Sequence, residues 1–114
     1  MRRGKRFIVW LASGIVIASG CAAFAPIAPP LNQADADRLS ARGQPVTLSE
    51  LQDGRSLYVG RCAGCHRLPR PDAYLPDRWA GFVDEMSARA KLTAPEARAV
   101  LRYVLAARDA VPVH

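Results

Sequence analysis

Two cysteines and a histidine stand within five positions of the chain, at Cys62, Cys65 and His66 of the segment CAGCH. The 114-residue chain contains only three cysteines and two histidines, so this segment holds most of its thiol and imidazole groups. Side chains of these types at this spacing are typical of three kinds of site. They form a redox-active dithiol, contribute to a zinc site, or attach a haem covalently.

Haem attachment gives a role to all three residues of the segment. In a C-x-x-C-H sequence each thiol adds across one vinyl group of the porphyrin, and the histidine that follows is the proximal ligand of the iron. We therefore predict one haem c, bound through Cys62 and Cys65 and ligated by His66. The third cysteine, Cys21, is then left for a different purpose.

The zinc and dithiol alternatives fit the sequence less well. A zinc site needs three or four protein ligands, and after Cys62, Cys65 and His66 the only further strong ligand of the mature domain is His114, near the terminus. A thioredoxin-like dithiol follows a strand, and no strand is predicted before Cys62. A simple disulfide is the remaining alternative.

The first 20 residues have the layout of an export signal, with a cationic start and an apolar run from residue 7 to residue 18. Small residues at 18–20 precede Cys21, which resembles the lipobox of bacterial lipoproteins. A cut after the A-F-A sequence at 23–25 would leave Pro26 next to the scissile bond, and an uncleaved anchor is a further alternative. We predict a signal peptide over 1–20, lipidation of Cys21, and a periplasmic location at a bacterial membrane.

The charge and motif content argue against several function classes. The net charge of +6 falls to +2 for residues 21–114, where twelve Lys and Arg face ten Asp and Glu, so no binding of nucleic acid is expected. No nucleophile, phosphate-binding loop or carboxylate pair is recognisable outside the CAGCH segment. We expect neither a small-molecule substrate nor an enzymatic activity of the isolated chain.

Composition divides the remainder of the chain into three parts. Residues 21–46 are rich in Pro and Ala, which predicts a tether with a short helical stretch around 34–41. The folded domain is predicted over 47–108, followed by a tail at 109–114. A unit of about 60 residues buries little apolar surface, so a covalent or metal staple is expected to stabilise it.

Three helices are predicted in this domain, which makes the fold class all-α. The first begins with the capping box T-L-S-E at Thr47, and the third with T-A-P-E at Thr93. The second follows Pro76 and places apolar residues on one face at helical spacing, from Trp79 to Met86 and beyond. Gly54 lies inside the first helix, where glycine costs about 1 kcal/mol relative to alanine.

The domain resembles the class I cytochromes c. The run GRSLYVGRCAGCH from Gly54 to His66 is similar to their N-terminal helix and haem motif, and ARAVLRYVL is similar to their C-terminal helix. The resemblance implies a small bundle of about three helices around one haem, in which the terminal helices cross. Residues of both helices match the positions of that crossing: Gly54, Tyr58, Val100 and Tyr103. The glycine would then allow the last helix to approach closely.

The resemblance also implies a second axial ligand, and Met86 is the candidate. It lies 20 residues after His66 and precedes Pro95 of the last helix, and the pattern P-x-x-W-x-x-x-V-x-x-M from Pro76 matches small monohaem members of the family. There are two alternatives. Met86 is a core residue and the sixth position of the iron is open or holds water, or His114 is the sixth ligand.

Supporting residues are expected around the histidine. In the related fold a proline carbonyl accepts its second N–H, which Pro69 or Pro71 would provide here. Tyr74 and Trp79 are candidates for contacts with the haem edge or a propionate, although ordinary packing explains them equally well. Three arginines are candidates for a propionate or a docking surface: Arg67, Arg70 and Arg78.

The expected function is one-electron transfer by a His/Met-ligated haem, between membrane or periplasmic redox partners such as membrane-bound respiratory complexes. The lipid on Cys21 would hold the chain at the membrane. An electron-transfer subunit of a larger oxidoreductase is one alternative. A haem sensor or ligand-binding module with an open sixth site is the other.

Overall fold

A computed structural model describes residues 26–111 of the chain, and these residues form four α-helices. They are α1 (Gln33–Ala41), α2 (Leu48–Arg61), α3 (Pro76–Arg89) and α4 (Ala94–Ala110), with short 3-10 helices at Cys62–Gly64 and Pro71–Ala73. The described part contains no strand, which confirms the all-α class. The predicted three-helix domain corresponds to α2, α3 and α4.

The starts of α2 and α4 follow from their capping boxes. The Thr47 hydroxyl accepts the Glu50 N–H at 3.1 Å, and the Glu50 carboxylate accepts the Thr47 N–H at 2.8 Å. Thr93 and Glu96 form the same pair of hydrogen bonds at the start of α4. Both reciprocal caps satisfy N–H groups that have no partner within the helix, as predicted from T-L-S-E and T-A-P-E.

Helices α2 and α4 pack against each other at Gly54. A Cβ atom added at Gly54 would lie 2.1 Å from the carbonyl oxygen of Ala99 and 2.8 Å from Cβ of Tyr103. The absence of a side chain therefore allows the two backbones to meet, which confirms the role expected for this glycine. Beside it the rings of Tyr58 and Tyr103 lie 5.9 Å apart within the larger of two hydrophobic cores.

The segment before α2 packs on the domain instead of extending away from it. Helix α1 confirms the short helical stretch expected in this segment, and it buries Ala36 and Leu39 in the second hydrophobic core together with Leu51 of α2 and Ala106 of α4. Ahead of α1, the Ala28 carbonyl accepts a hydrogen bond from Arg55 of α2 and the Pro29 carbonyl accepts one from Tyr103 of α4, both at 2.9 Å. The folded unit therefore extends back to about Ala28, which differs from the free tether expected on composition.

The predicted C-terminal tail at 109–114 does not begin where the last helix ends. Helix α4 continues to Ala110, and Asp109 within it forms an ion pair with Arg42, so the expected tail begins inside a helix. The predicted signal peptide, Cys21 and His114 lie outside the described residues. None of the helices in the described part combines the length and the apolar character needed to cross a bilayer.

Candidate cofactor site

A cavity of about 310 Å³ lies where the end of α2, the loop after it, α3 and the start of α4 meet. Four residues singled out from the sequence line it: Cys62, Cys65, His66 and Met86. The cavity lies at the lower end of the volumes typical of sites for small ligands and cofactors. Its remaining wall is mainly apolar and aromatic, and includes Tyr58, Tyr74, Trp79, Phe82, Val83, Leu92 and Val100.

The two thiols differ in environment and are not joined by a disulfide. Cys62 caps the end of α2, is half-buried and packs against the larger core, whereas Cys65 is exposed. Burial, together with the neighbouring Cys65, raises the pKa of the Cys62 thiol above its usual value. Reactive dithiols show the opposite shift, because their chemistry requires a thiolate near neutral pH. A thioredoxin-like dithiol also follows a strand, and the described residues before Cys62 form helices and no strand.

The donor set around the cysteines is also poor for zinc. Within residues 26–111, no three or more His, Cys, Asp or Glu side chains are grouped so that they could hold a metal ion. Structural zinc needs four such ligands and catalytic zinc usually three. The described part of the chain therefore provides no zinc ligand set around Cys62 and Cys65.

The imidazole of His66 is exposed, and a backbone carbonyl lies within hydrogen-bond distance of its Nδ1. Its Nδ1 lies 2.9 Å from the carbonyl oxygen of Arg67, and because a carbonyl oxygen only accepts hydrogen bonds, Nδ1 carries the proton. The lone pair is then on Nε2. Metal-ligating histidines usually donate one N–H to a carbonyl in this way while the other nitrogen binds the metal.

The carbonyl that accepts Nδ1–H of His66 belongs to Arg67 and not to Pro69 or Pro71, the two residues expected from the sequence. The carbonyl of Pro69 accepts the hydroxyl of Tyr58, and the carbonyl of Pro71 accepts Nε1–H of Trp79 at 2.8 Å. Both carbonyls are thus used by aromatic donors from the flanking helices. The indole N–H of Trp79 is consequently directed to Pro71, which leaves packing of the ring as its contribution to the cavity wall.

Met86 lies on the last turns of α3 with its side chain at the cavity and only half-buried. Trp79 and Val83 on the same helix belong to the larger core, but neither of the two cores of the described residues includes Met86. A methionine that only filled the core would be expected among them. Its position therefore favours a contact with whatever occupies the cavity.

The aromatic wall is held together by edge-to-face contacts. The ring of Tyr74 lies 5.5 Å from that of Trp79 and 4.8 Å from that of Phe82, both in near-perpendicular orientation. Such contacts contribute beyond the burial of area alone. Phe82 follows Trp79 by three residues, which places both on the apolar side of α3 that lines the cavity.

The arginines at the cavity are not those expected from the sequence. Arg61 and Arg89 line it, and the Arg61 side chain donates to the carbonyl of Ala90 at 3.4 Å, which links the end of α2 to the turn after α3. Arg70 instead makes two hydrogen bonds with the Asp72 carboxylate, and the Arg78 guanidinium lies 5.2 Å from the Phe82 ring centroid. Sequence spacing does not indicate which arginines line the cavity, because a long side chain can extend in several directions from its backbone position.

Comparison of the chain with protein-family models, with curated proteins and with solved structures finds no match. The chemistry of the site is therefore inferred from its donors. Two thiols, an imidazole with Nε2 free and a thioether line one apolar cavity. These are the groups needed to attach a haem covalently and to ligate its iron on two sides.

Proposed function

We propose that the chain is a monohaem c-type cytochrome that carries single electrons between redox partners. Cys62 and Cys65 form the two thioether bonds, and His66 and Met86 ligate the iron. One observation carries the proposal: Met86 lies 20 residues beyond His66 in sequence, yet both residues and both thiols line the same cavity.

When bound, the haem supplies an iron that changes between its ferric and ferrous states. Thioether bonds from Cys62 and Cys65 would keep the macrocycle from dissociating, and Nε2 of His66 and Sδ of Met86 would hold the iron. Methionine ligation favours a higher reduction potential than ligation by two histidines. The apolar and aromatic wall would give the haem a surrounding of low dielectric, which also affects the potential.

The N-terminal segment determines how far the domain can move from a membrane. We propose that Cys21 carries the lipid of a periplasmic lipoprotein, and that the electron partners are membrane-bound redox proteins. Because the chain packs on the domain from Ala28 onwards, seven peptide links join Cys21 to the packed part, a reach of at most about 25 Å. A tether this short holds the domain at a high local concentration near such partners.

Replacement of Met86 tests the ligand assignment. The chain is expressed with haem-maturation machinery, and the ferric spectrum is recorded for the unaltered chain, Met86→Ala and Leu92→Ala. Leu92 also lines the cavity and is partly buried, so its replacement is a matched control for lost packing. We expect the weak long-wavelength band of Met–iron ligation to disappear only in Met86→Ala. An unchanged spectrum in Met86→Ala would favour an open sixth site and a sensor or ligand-binding function.

A further inference from the structure

The loop that follows His66 is held by one aromatic hydrogen-bond donor from each flanking helix. Tyr58 of α2 donates its hydroxyl to the Pro69 carbonyl, and Trp79 of α3 donates its indole N–H to the Pro71 carbonyl. Both donors are almost completely buried, with exposed fractions of 2% for Tyr58 and 3% for Trp79. The two bonds therefore join the interior of the domain to a loop that contains the acceptor of His66.

Three successive anchors fix the backbone between Arg67 and Pro71. The side chain of Leu68 packs against the larger core, and the carbonyls of Pro69 and Pro71 are held by the two aromatic donors. The proline rings restrict φ, and because proline lacks an N–H, only the carbonyls of these two residues can tie the loop to the helices. The carbonyl of Arg67, immediately before these anchors, accepts Nδ1–H of His66.

We propose that Tyr58 and Trp79 are positioning residues for His66. By holding the carbonyls of Pro69 and Pro71, they keep the Arg67 carbonyl against Nδ1 and so set the orientation and the basicity of the imidazole at the cavity. The inference rests on the proposed function in one respect, that Nε2 of His66 ligates iron.

The consequence for the iron follows from the hydrogen bond at Nδ1. An acceptor on Nδ1–H increases the electron donation of the ring through Nε2, which stabilises the ferric state relative to the ferrous state. Loosening the loop weakens this bond. The Nδ1 proton then exchanges faster with water, and the reduction potential rises.

Two tyrosines of the helix crossing allow a matched experiment. Tyr103 is as buried as Tyr58, and its hydroxyl donates at 2.9 Å to the Pro29 carbonyl in the segment before α1 instead of to the loop. Burial raises the pKa of the Tyr58 phenol and raises the pKa of Tyr103 to about 12, so both hydroxyls remain protonated donors at neutral pH. Replacing either one by phenylalanine removes a single hydroxyl and releases a different proline carbonyl.

The readouts are Nδ1–H exchange of His66, measured by NMR of the reduced protein, and the reduction potential. We expect Tyr58→Phe and Trp79→Phe to accelerate this exchange and to shift the ferric-to-ferrous balance roughly tenfold, the lower end of the effect that residues orienting metal ligands have on metal affinity. A tenfold change in the ferric-to-ferrous balance corresponds to about 59 mV, here in the upward direction. Tyr103→Phe should leave exchange and potential unchanged while it lowers thermal stability.

Two results would overturn the inference. One is an unmoved exchange rate and potential in both Tyr58→Phe and Trp79→Phe, and the other is an equal shift in Tyr103→Phe, which would indicate general loosening of the fold.

Failure of the proposed function is recognised separately, since the maturation machinery would then attach no haem. In that case the tautomer of His66 is measured by ¹⁵N NMR of the haem-free chain. We expect the Nδ1–H form in the unaltered chain and in Tyr103→Phe, and a mixture of tautomers in Tyr58→Phe. A pure Nδ1–H form in Tyr58→Phe would overturn the inference on its own.

Discussion

Replacement of Gly54 by alanine tests the contact between α2 and α4. The added methyl carbon would lie 2.1 Å from the carbonyl oxygen of Ala99 and 2.7 Å from its carbonyl carbon, whereas ordinary contacts begin at 3.4 Å. Both atoms belong to the backbone of α4, so they cannot move away by a side-chain rotation. Helix α4 must shift by more than 1 Å along this direction, and that shift disturbs the core around Tyr58 and Tyr103.

The size of the effect follows from two opposing contributions. Alanine is favoured over glycine inside a helix by about 1 kcal/mol. Overpacking of a filled interior typically costs about 1–3 kcal/mol and occasionally more, and a clash with backbone belongs at the upper end. We expect a net loss of about 2 kcal/mol in the free energy of unfolding, which lowers the melting temperature of a domain this small by roughly 8–16 °C.

Gly60 provides the control for this measurement. It lies in the same helix, and no atom lies within 4 Å of a Cβ added there. Gly60→Ala should therefore stabilise the chain by up to about 1 kcal/mol through helix propensity alone. Urea unfolding of the full chain, followed by circular dichroism, measures both variants. Equal stability of Gly54→Ala and Gly60→Ala would refute the close approach of the two helices.

The remaining predictions concern the segment before α2 and the helix caps. Leu39→Ala should lower the free energy of unfolding by about 2–4 kcal/mol, because Leu39 is only 5% exposed; an unchanged urea midpoint would mean that α1 contributes nothing to the folded unit. Hydrogen bonds from Thr47 and Thr93 lower the pKa of Glu50 and Glu96 below the usual value near 4.5. Their stabilisation is therefore complete above the unfolded-state pKa and is lost as pH falls through the folded-state values. Urea midpoints measured against pH should decline less steeply in acid for the double variant Glu50→Gln, Glu96→Gln, and an identical decline would count against the caps.

Local signals made the helices of the domain predictable. The capping boxes at Thr47 and Thr93 each consist of four adjacent residues, so no knowledge of the tertiary structure is needed to recognise them. Gly54 was conspicuous as a glycine inside a helical pattern. Its role became predictable only through the resemblance, because the residue that approaches it lies on α4.

Two features depend on tertiary contacts and were not predictable from the sequence: the packing of α1 and the hydrogen bonds to the loop after His66. The burial of Ala36 and Leu39 depends on a surface formed jointly by α2 and α4. A Pro- and Ala-rich segment has no apolar periodicity from which such contacts could be predicted. At the site, the motif pointed to the two thiols and the imidazole, and the resemblance pointed to Met86; all four line one cavity. The donors to the carbonyls of Pro69 and Pro71 depend on where two distant aromatic side chains point, which spacing alone does not specify.

Covalent attachment of one haem is the central claim, and the intact mass of the matured chain tests it most directly. The chain expressed with haem-maturation machinery should retain one haem after denaturation and acid extraction, whereas a variant with both Cys62 and Cys65 replaced by serine should retain none. An unaltered chain whose mass lacks the haem under these conditions would contradict the account.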